Sequence, residues 1–210
     1  MPSPTIRVGK GGYGMVSNAE KKGLIAQMPV AERTRLTALE KGLLLWSIVD
    51  PGDKVLDVCT TDGGMLSYLQ QAMDCEVCGM SSEMESIRRS RARLQSADIA
   101  YAVPEDIPWH DDSFDIVYLR GARRTRSITP KALEEALRVL KAGGQLLVGA
   151  RSYPALAAPL LNRMLSEEDN ADVYTRQELT DALKQIGCVA VGWERVSLDS
   201  GVAIGWKPSA

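Results

Sequence analysis

The chain has little of what several common protein classes require. Its 210 residues include one histidine, one phenylalanine and four cysteines, and aromatic residues make up only 5%. No apolar run approaches the ~20 residues that a membrane span needs. The first residues, MPSPTIRVGKGG, lack the apolar segment of a secretory signal. We therefore expect a soluble, cytoplasmic protein whose cysteines are reduced.

The residues for a metal centre or for general nucleic-acid binding are also scarce. With His110 as the single histidine, a zinc centre would have to consist almost entirely of thiolates. Cys75 and Cys78 form a C-x-x-C, but in the predicted strand CEVCGM they point to opposite faces. The net charge of −2 argues against a general nucleic-acid binder and leaves room only for a local basic patch. We predict no metal site.

Phosphate-binding motifs are missing or incomplete. Residues 9–16 fit the glycine-loop pattern of protein kinases, yet no H-R-D or D-F-G follows and the chain is too short for a kinase domain. No G-x-x-x-x-G-K-[ST] occurs, which excludes a P-loop. Residues 1–17 are rich in proline and glycine, so we predict a flexible or partner-swapped N-terminal arm before a single domain over 18–210.

What the chain does contain is a strand, a polar turn and a helix in close succession. Val55 to Val58 have the length and β-branching of a buried strand. A polar turn follows and ends at Gly63 and Gly64, and apolar residues at helical spacing begin with Met65. This succession is typical of a nucleotide-binding doubly wound sheet, in which backbone N–H groups of the turn face the ligand.

The remaining chain alternates between strands and helices. Further strands are predicted at 75–80, 99–102, 114–119, 145–150, 189–196 and 202–206, and helices at 18–27, 30–48, 83–95, from 129 onwards, at 155–165 and from 175 to 187. Thr175 and Glu178 form a capping box for the last helix, and Asp199-Ser200-Gly201 is the predicted hairpin turn. We predict an α/β protein with a doubly wound, mostly parallel seven-stranded sheet and a C-terminal antiparallel hairpin.

Four segments carry a resemblance to a known family. They are VLDVCTTDGG, PEDIPWHDDSFDIVYL, LRVLKAGGQLLVGA and YTRQELTDALKQIGC. The first three are similar to the motifs V-L-D-x-G-x-G-x-G, A-E-x-L-P-F-x-D-x-S-F-D-x-V and R-V-L-K-P-G-G-x-L, and the fourth to the helix before the terminal hairpin. Over residues 43–207 the chain thus resembles the class I S-adenosylmethionine (SAM)-dependent methyltransferases. The resemblance implies a Rossmann-like fold, SAM as cofactor and methyl transfer to an acceptor.

The resemblance also implies where the cofactor turn would contact SAM. The family's three glycines fall on Cys59, Thr61 and Gly63, so only the third is kept. Glycine at such positions allows positive φ and close backbone approach, which side chains restrict. Asp57 falls where the family has an acid near the cofactor's ammonium group. The alternative is that the Asp57 carboxylate accepts hydrogen bonds from N–H groups of the turn.

The ribose and adenine positions depart further from the family. The ribose-binding acid falls on Ser81, which can bond a hydroxyl but without a charge-assisted, bidentate grip. The adenine positions fall on Val103 and Pro104, which offer neither the usual acceptor nor the usual N–H. Leu119, at the end of the fourth predicted strand, is the remaining implied cofactor contact.

An arginine-rich segment, RGARRTR, follows the fourth predicted strand at the sheet edge where the family receives its acceptor. Arg120, Arg123 and Arg124 would suit a carboxylate, a phosphate or a nucleic-acid backbone. The alternative is a solvated loop or a salt-bridge patch of an oligomer.

Three functional hypotheses follow from these observations. The leading one is a SAM-dependent methyltransferase acting on a small, anionic acceptor. The second is a methyltransferase fold that has lost catalysis and serves as a binding or scaffold subunit. The third is an RNA-associated protein that uses its arginines, although nucleic acid is the least favoured partner. A homo-oligomer is compatible with each.

Overall fold

The N-terminal part of the chain contains a short β-hairpin. The computed structural model describes residues 6–9, 12–15, 36–121, 127–152 and 174–209. Strand β1 (Ile6–Gly9) pairs antiparallel with β2 (Gly12–Met15), where we had expected no regular structure. Apolar residues alternate at 6, 8, 13 and 15, a period of two that the proline- and glycine-rich composition obscures. Whether residues 1–17 act as a flexible arm stays a prediction.

Seven strands form the main sheet. They are β3 (Lys54–Val58), β4 (Glu76–Ser81), β5 (Asp98–Tyr101), β6 (Phe114–Arg120), β7 (Leu140–Arg151), β8 (Val189–Arg195) and β9 (Ser200–Trp206). Their order is β5-β4-β3-β6-β7-β9-β8. The first five run parallel, and β9 runs antiparallel to both of its neighbours. The predicted doubly wound sheet with its C-terminal antiparallel hairpin is confirmed.

Helices cover both faces of this sheet. They are α1 (Ala38–Trp46), α2 (Gly64–Met73), α3 (Met84–Arg93), α4 (Pro130–Val139) and α5 (Arg176–Gln185). Successive strand residues such as Val55 and Leu56 enter two different apolar cores, one shared with α1 to α3 and the other with α4 and α5. Cys75 and Cys78 are buried in opposite cores, as their spacing predicts.

Helix α1 does not fill the predicted 30–48, because residues 36–37 and 47–48 are not helical, and residues 30–35 lie outside the described part of the chain. Thr37 caps it, since its hydroxyl accepts the Glu40 N–H at 3.2 Å and the Glu40 carboxylate accepts the Thr37 N–H at 2.8 Å. A capping residue lies outside the helix, so helical structure begins at Ala38. The capping box on α5 is present as predicted. The helices predicted at 18–27 and 155–165 lie outside the described residues.

The C-terminal hairpin turns earlier than predicted. Ser200 and Gly201 already belong to β9, and residues 196–199 form the connection, with the Val196 and Ser197 N–H groups donating to the Ser200 carbonyl. A Cβ on Gly201 would lie 2.1 Å from the Trp193 ring. This glycine therefore makes room for a cross-strand tryptophan instead of forming the turn.

The sheet order reverses at β3 and β6, since the chain passes from β3 to β4 on one side and from β6 to β7 on the other. In open α/β sheets ligands bind in the crevice beyond the carboxyl ends of the strands at such a point. Asp57 lies near the end of β3, and Arg120 ends β6. These two side chains mark the candidate site.

Candidate cofactor site

The turn after β3 has a left-handed backbone conformation at two positions. Cys59 has φ +70° and Gly63 has φ +70°. The Thr60 N–H donates to the Met80 carbonyl at 2.9 Å, which ties the turn to β4. Because a left-handed conformation costs a non-glycine residue ~1–2 kcal/mol, the surrounding structure must hold Cys59 in it. Cys59 thus adopts a positive φ of the kind that glycine allows without strain.

Gly63 is also needed for the packing of α3 against the turn. A Cβ at this position would lie 2.8 Å from Leu94 Cδ1 and 3.3 Å from the Ser90 Cα. The closest contact is thus to a leucine methyl group, but the next is to backbone, which cannot move aside easily. The one family glycine that the chain keeps therefore has a packing role as well as a conformational one.

Thr61, at the place of the second family glycine, is exposed. The next residue, Asp62, accepts the Gly64 N–H at 3.0 Å and an Arg93 N–H at 2.9 Å. The protein's own carboxylate therefore takes part of the hydrogen-bonding capacity at the start of α2.

A buried group of charges lies where the sheet order reverses. Arg120 donates from Nε to Asp57 Oδ1 at 3.2 Å and from Nη2 to Asp57 Oδ2 at 2.9 Å. The same guanidinium donates from Nη1 to Glu40 Oε1 at 2.7 Å and from Nη2 to the Cys59 carbonyl at 3.1 Å. The side chains of Arg120, Glu40 and Asp57 are only 8%, 5% and 1% exposed. We call these three residues the charge cluster.

Burial and mutual interaction set the protonation of the charge cluster. Burial raises the pKa of Asp57 to about 6, although the charge of Arg120 acts in the opposite direction. Burial disfavours the charge of Arg120, but Asp57 and Glu40 outweigh it and raise the pKa of Arg120 above its usual value. With both carboxylates ionised, two negative charges and one positive charge leave the cluster at −1. Protonation of Asp57 would make it neutral.

Sequence reasoning missed Glu40 and the ion pair between Asp57 and Arg120. Neither interpretation of Asp57 included an arginine partner. A signal was present, because Asp57 is the only charged residue within an apolar run and Arg120 ends another such run. The T-x-x-E pattern at Thr37 and Glu40 is a further signal, because a capping box places its glutamate in the first turn of a helix.

Of the three arginines predicted to bind an acceptor, the structure describes one. Arg120 is buried and makes four hydrogen bonds to protein acceptors, so its contact with an acceptor anion stays a prediction that would compete with these bonds. Arg123 and Arg124 lie outside the described residues. The Ser127 hydroxyl donates to the Arg120 carbonyl at 2.9 Å, so the chain lies next to the end of β6 again at that point.

The predicted ribose and adenine positions lie at neighbouring strand ends. Ser81 ends β4, is buried, and accepts a backbone N–H from two residues further on at 3.2 Å. Its partner in the next strand is Tyr101, which ends β5. Val103 is 48% exposed and Pro104 is buried, whereas Leu119 lies fully within the core. The turn geometry and the Ser81 hydroxyl fit an adenosine-containing cofactor, although polar partners for adenine are reduced.

Two buried cysteines and the single histidine lie away from the charge cluster or in apolar surroundings. Burial raises the pKa of the Cys75 thiol to about 12 and that of Cys78 to about 11. His110 is exposed in the turn before β6, at the opposite end of that strand from Arg120. Within the described ranges there is no group of three or more His, Cys, Asp or Glu residues that could hold a metal ion. None of the helices described combines the length and the apolarity of a membrane span.

Comparison with known proteins identifies relatives in sequence. A family model described as a methyltransferase domain matches residues 56–148. The sarcosine/dimethylglycine N-methyltransferase of Halorhodospira halochloris is 30% identical over 164 residues, which are 73% of this chain and 58% of that protein. The chain spans 44–58% of the length of three of the curated relatives that it matches.

Solved structures share the fold. A SAM-dependent methyltransferase from Aquifex aeolicus is 21% identical, with a TM-score of 0.64 over 91% of this chain and 98% of that one. Phosphoethanolamine N-methyltransferase 2 of Haemonchus contortus, in complex with SAM, is 13% identical, with a TM-score of 0.69 over 81% of this chain and 52% of that one. The predicted Rossmann-like methyltransferase fold is confirmed. Methyltransferases thus share both sequence motifs and fold with this chain, and S-adenosylmethionine, the cofactor of the class I SAM-dependent methyltransferases, is the cofactor that this likeness supports.

Proposed function

We propose that this protein binds SAM over the turn that ends at Gly63 and transfers its methyl group to a small, anionic acceptor. The observation that carries the proposal is the left-handed conformation of Cys59. Residues held in strained backbone conformations cluster at functional sites, and Cys59 is the one among four described non-glycine residues with positive φ that lies at the carboxyl end of a central strand. Holding a cysteine at φ +70° preserves the turn shape that a cofactor needs, even after the glycine has been replaced.

The proposed part of the protein is alignment and electrostatic attraction. SAM supplies, when bound, an electrophilic methyl group on a sulfonium, so no protein nucleophile is needed. We assign the backbone of Cys59, Thr61 and Gly63 to the cofactor turn and the Ser81 hydroxyl to the ribose position. Leu119 would contribute through its backbone at the end of β6, because its side chain is fully buried. Correct alignment is itself a large contribution to the rate.

An anionic acceptor is supported by the chemistry of the segment after β6. Arg123 and Arg124 are proposed to bind its carboxylate or phosphate, since guanidinium groups match the geometry of both. Arg120, the third predicted contact, could bind the acceptor only by exchanging its bonds to Glu40 and Asp57 for bonds to that anion. The name of one sequence relative points the same way, because sarcosine carries a carboxylate.

A specific observation also favours the second candidate, a methyltransferase fold that serves as a binding or scaffold subunit without catalysis. The Asp57 carboxylate is 1% exposed and bonded on both oxygens to Arg120. Val103 cannot accept a hydrogen bond from the adenine amine. Both features would weaken cofactor binding, and loss of one buried polar contact typically costs ~1–3 kcal/mol.

Label transfer and thermal melting together separate the two candidates. We would incubate the protein with methyl-labelled SAM and small amines that carry a carboxylate or phosphate, with ethanolamine as the control acceptor that lacks an anionic group. The proposal predicts label in an anionic acceptor, little in ethanolamine, and formation of S-adenosylhomocysteine. A cofactor at a hundred times its dissociation constant should add ~2.7 kcal/mol of stability. Stabilisation by SAM with no transfer would favour the scaffold, and no stabilisation by SAM or S-adenosylhomocysteine would overturn SAM binding.

A further inference from the structure

We propose that Glu40 is a positioning residue for cofactor binding, which keeps the charge cluster negative so that it still attracts the α-ammonium group of the cofactor. The inference rests on the proposed function and deepens it. It assigns to α1 a role in selecting the amino-acid part of the ligand.

Asp57 and Arg120 form an ion pair within the charge cluster. Two parallel hydrogen bonds join them, at 3.2 Å and 2.9 Å, and such a pair is electrically neutral. A neutral pair would have little attraction for an ammonium group. Glu40 adds a second carboxylate at 2.7 Å from Arg120 Nη1 and brings the sum to −1. Because the three side chains are almost fully buried, water screens this charge only weakly.

The two oxygens of Glu40 have separate partners. Oε2 accepts both the N–H and the hydroxyl of Thr37 at 2.8 Å, which fixes the start of α1. Oε1 accepts the guanidinium of Arg120 at 2.7 Å. The capping box thus holds the carboxylate in place, and the second oxygen joins the helix start to the sheet edge where β3 and β6 end.

The chain offers a matched control for the capping role alone. On α5, Thr175 and Glu178 form the same box, with the Thr175 N–H donating to Glu178 Oε2 at 2.6 Å and the Glu178 N–H donating to Thr175 Oγ1 at 3.2 Å. Glu178 is exposed, and its box caps a helix that packs against β8 and β9. Capping therefore does not by itself require a buried guanidinium.

The charge of the cluster predicts a pH dependence. Among the residues that the structure describes, Asp57 interacts with Glu40 from α1, with Arg120 from β6 and with Tyr118, its register partner on β6, while the Cys59 thiol interacts with Arg120. As the pH falls through about 6, Asp57 takes up a proton and the cluster becomes neutral. Affinity for a ligand with an ammonium group should fall in that range, whereas affinity for a ligand without one should not.

The test measures binding of two ligands by calorimetry at pH 7.5. S-adenosylhomocysteine carries the amino-acid part, and 5′-methylthioadenosine lacks it. Glu40→Gln keeps the shape and can still accept capping bonds. We expect it to weaken S-adenosylhomocysteine roughly tenfold and to leave methylthioadenosine unchanged. Glu178→Gln should change neither, and Glu40→Asp, which keeps the charge, should restore most of the affinity.

The outcomes separate this inference from the proposed function. Equal weakening of both ligands by Glu40→Gln would make Glu40 merely structural, and an unchanged affinity for S-adenosylhomocysteine would also overturn the inference. If Glu40→Gln does not fold, the wild-type pH profile decides. A decline below pH 6 for S-adenosylhomocysteine alone supports the inference, and parallel profiles for the two ligands overturn it. If the wild type binds neither ligand, the proposed function itself fails.

Discussion

Replacing Arg120 with methionine would test the charge cluster most severely. The guanidinium is 8% exposed and lies 2.7 Å from Glu40 and 2.9 Å from Asp57, so its removal leaves two buried carboxylates without their cation. Breaking a buried pair by removing one partner typically costs about 3–5 kcal/mol. We expect Arg120→Met to lower the free energy of unfolding by that amount at pH 7.5, which lowers Tm by roughly 6–20 °C in a chain of this size.

The loss should depend on pH with a definite sign. In the wild type, burial already raises the pKa of Asp57 to about 6, and Arg120 acts against this rise. Removal of Arg120 therefore raises the pKa of Asp57 further. A carboxyl whose folded-state pKa lies above its unfolded value favours folding in its protonated form, and this stability is lost as the pH rises through the folded pKa. The part of the loss that comes from Asp57 should accordingly be absent near pH 4 and should grow as the pH rises above about 6.

Urea unfolding followed by circular dichroism at pH 4 and pH 7.5 measures both quantities. A control variant carries Asp57→Asn and Glu40→Gln together with Arg120→Met, so that no charge remains buried. Because replacement of a whole buried ion pair is often nearly neutral, this control should recover most of the stability at pH 7.5. A loss below ~1 kcal/mol for Arg120→Met, or a loss of equal size at both pH values, would refute the reasoning.

Three further variants test separate parts of the account. The first is Gly63→Ala, whose Cβ would lie 2.8 Å from a leucine methyl group, and its control is Gly187→Ala, where positive φ alone should lower the free energy of unfolding by ~1–2 kcal/mol. In urea unfolding, Gly63→Ala should lower this free energy clearly more than the control does. Equal losses would contradict the packing role of Gly63. The second is Ser81→Asp, which should raise the affinity for S-adenosylhomocysteine roughly tenfold in calorimetry, because it adds a charge-assisted hydrogen bond. The exposed control Ser82→Asp should leave the affinity unchanged. Equal gains would mean that negative charge alone, and not a specific bond, raises the affinity. The third is Glu135→Gln, because a hydrogen bond from Arg138, one turn further along α4, lowers the pKa of Glu135 to about 2. The stability advantage of the wild type over Glu135→Gln should therefore be complete above pH 4.5 and fade towards pH 2 in thermal melts, and a constant difference would be inconsistent with that ion pair.

Most of the fold could be predicted from the sequence, because alternating strands and helices with short turns leave few topologies open. The errors lie where local patterns have a tertiary cause. Asp199-Ser200-Gly201 has the composition of a turn, yet Gly201 lies in a strand. Glycine is needed there because the Trp193 ring occupies the space that a side chain would take. The predicted start of α1 is too early, because the apolar stripe includes Leu36, which lies just before the capping residue Thr37 and is not helical.

The candidate site could be predicted only in its parts. Asp57 and Arg120 were each singled out from the sequence, but they are 63 residues apart, and their pairing depends on the adjacency of β3 and β6. Glu40 comes from a third element and joins them only through the side-chain geometry of a capping box. The left-handed backbone of Cys59 was likewise beyond prediction, because a cysteine does not itself favour positive φ.

The central claim is that adenosine is bound over the turn that closes at Gly63. Hydrogen–deuterium exchange with and without millimolar S-adenosylhomocysteine tests this most directly. The account predicts slower exchange at the backbone amides of residues 60–64 and 81–83, with little change in the hairpin of β8 and β9. Unchanged exchange throughout the chain, or protection confined to segments away from the carboxyl ends of β3 and β4, would contradict it.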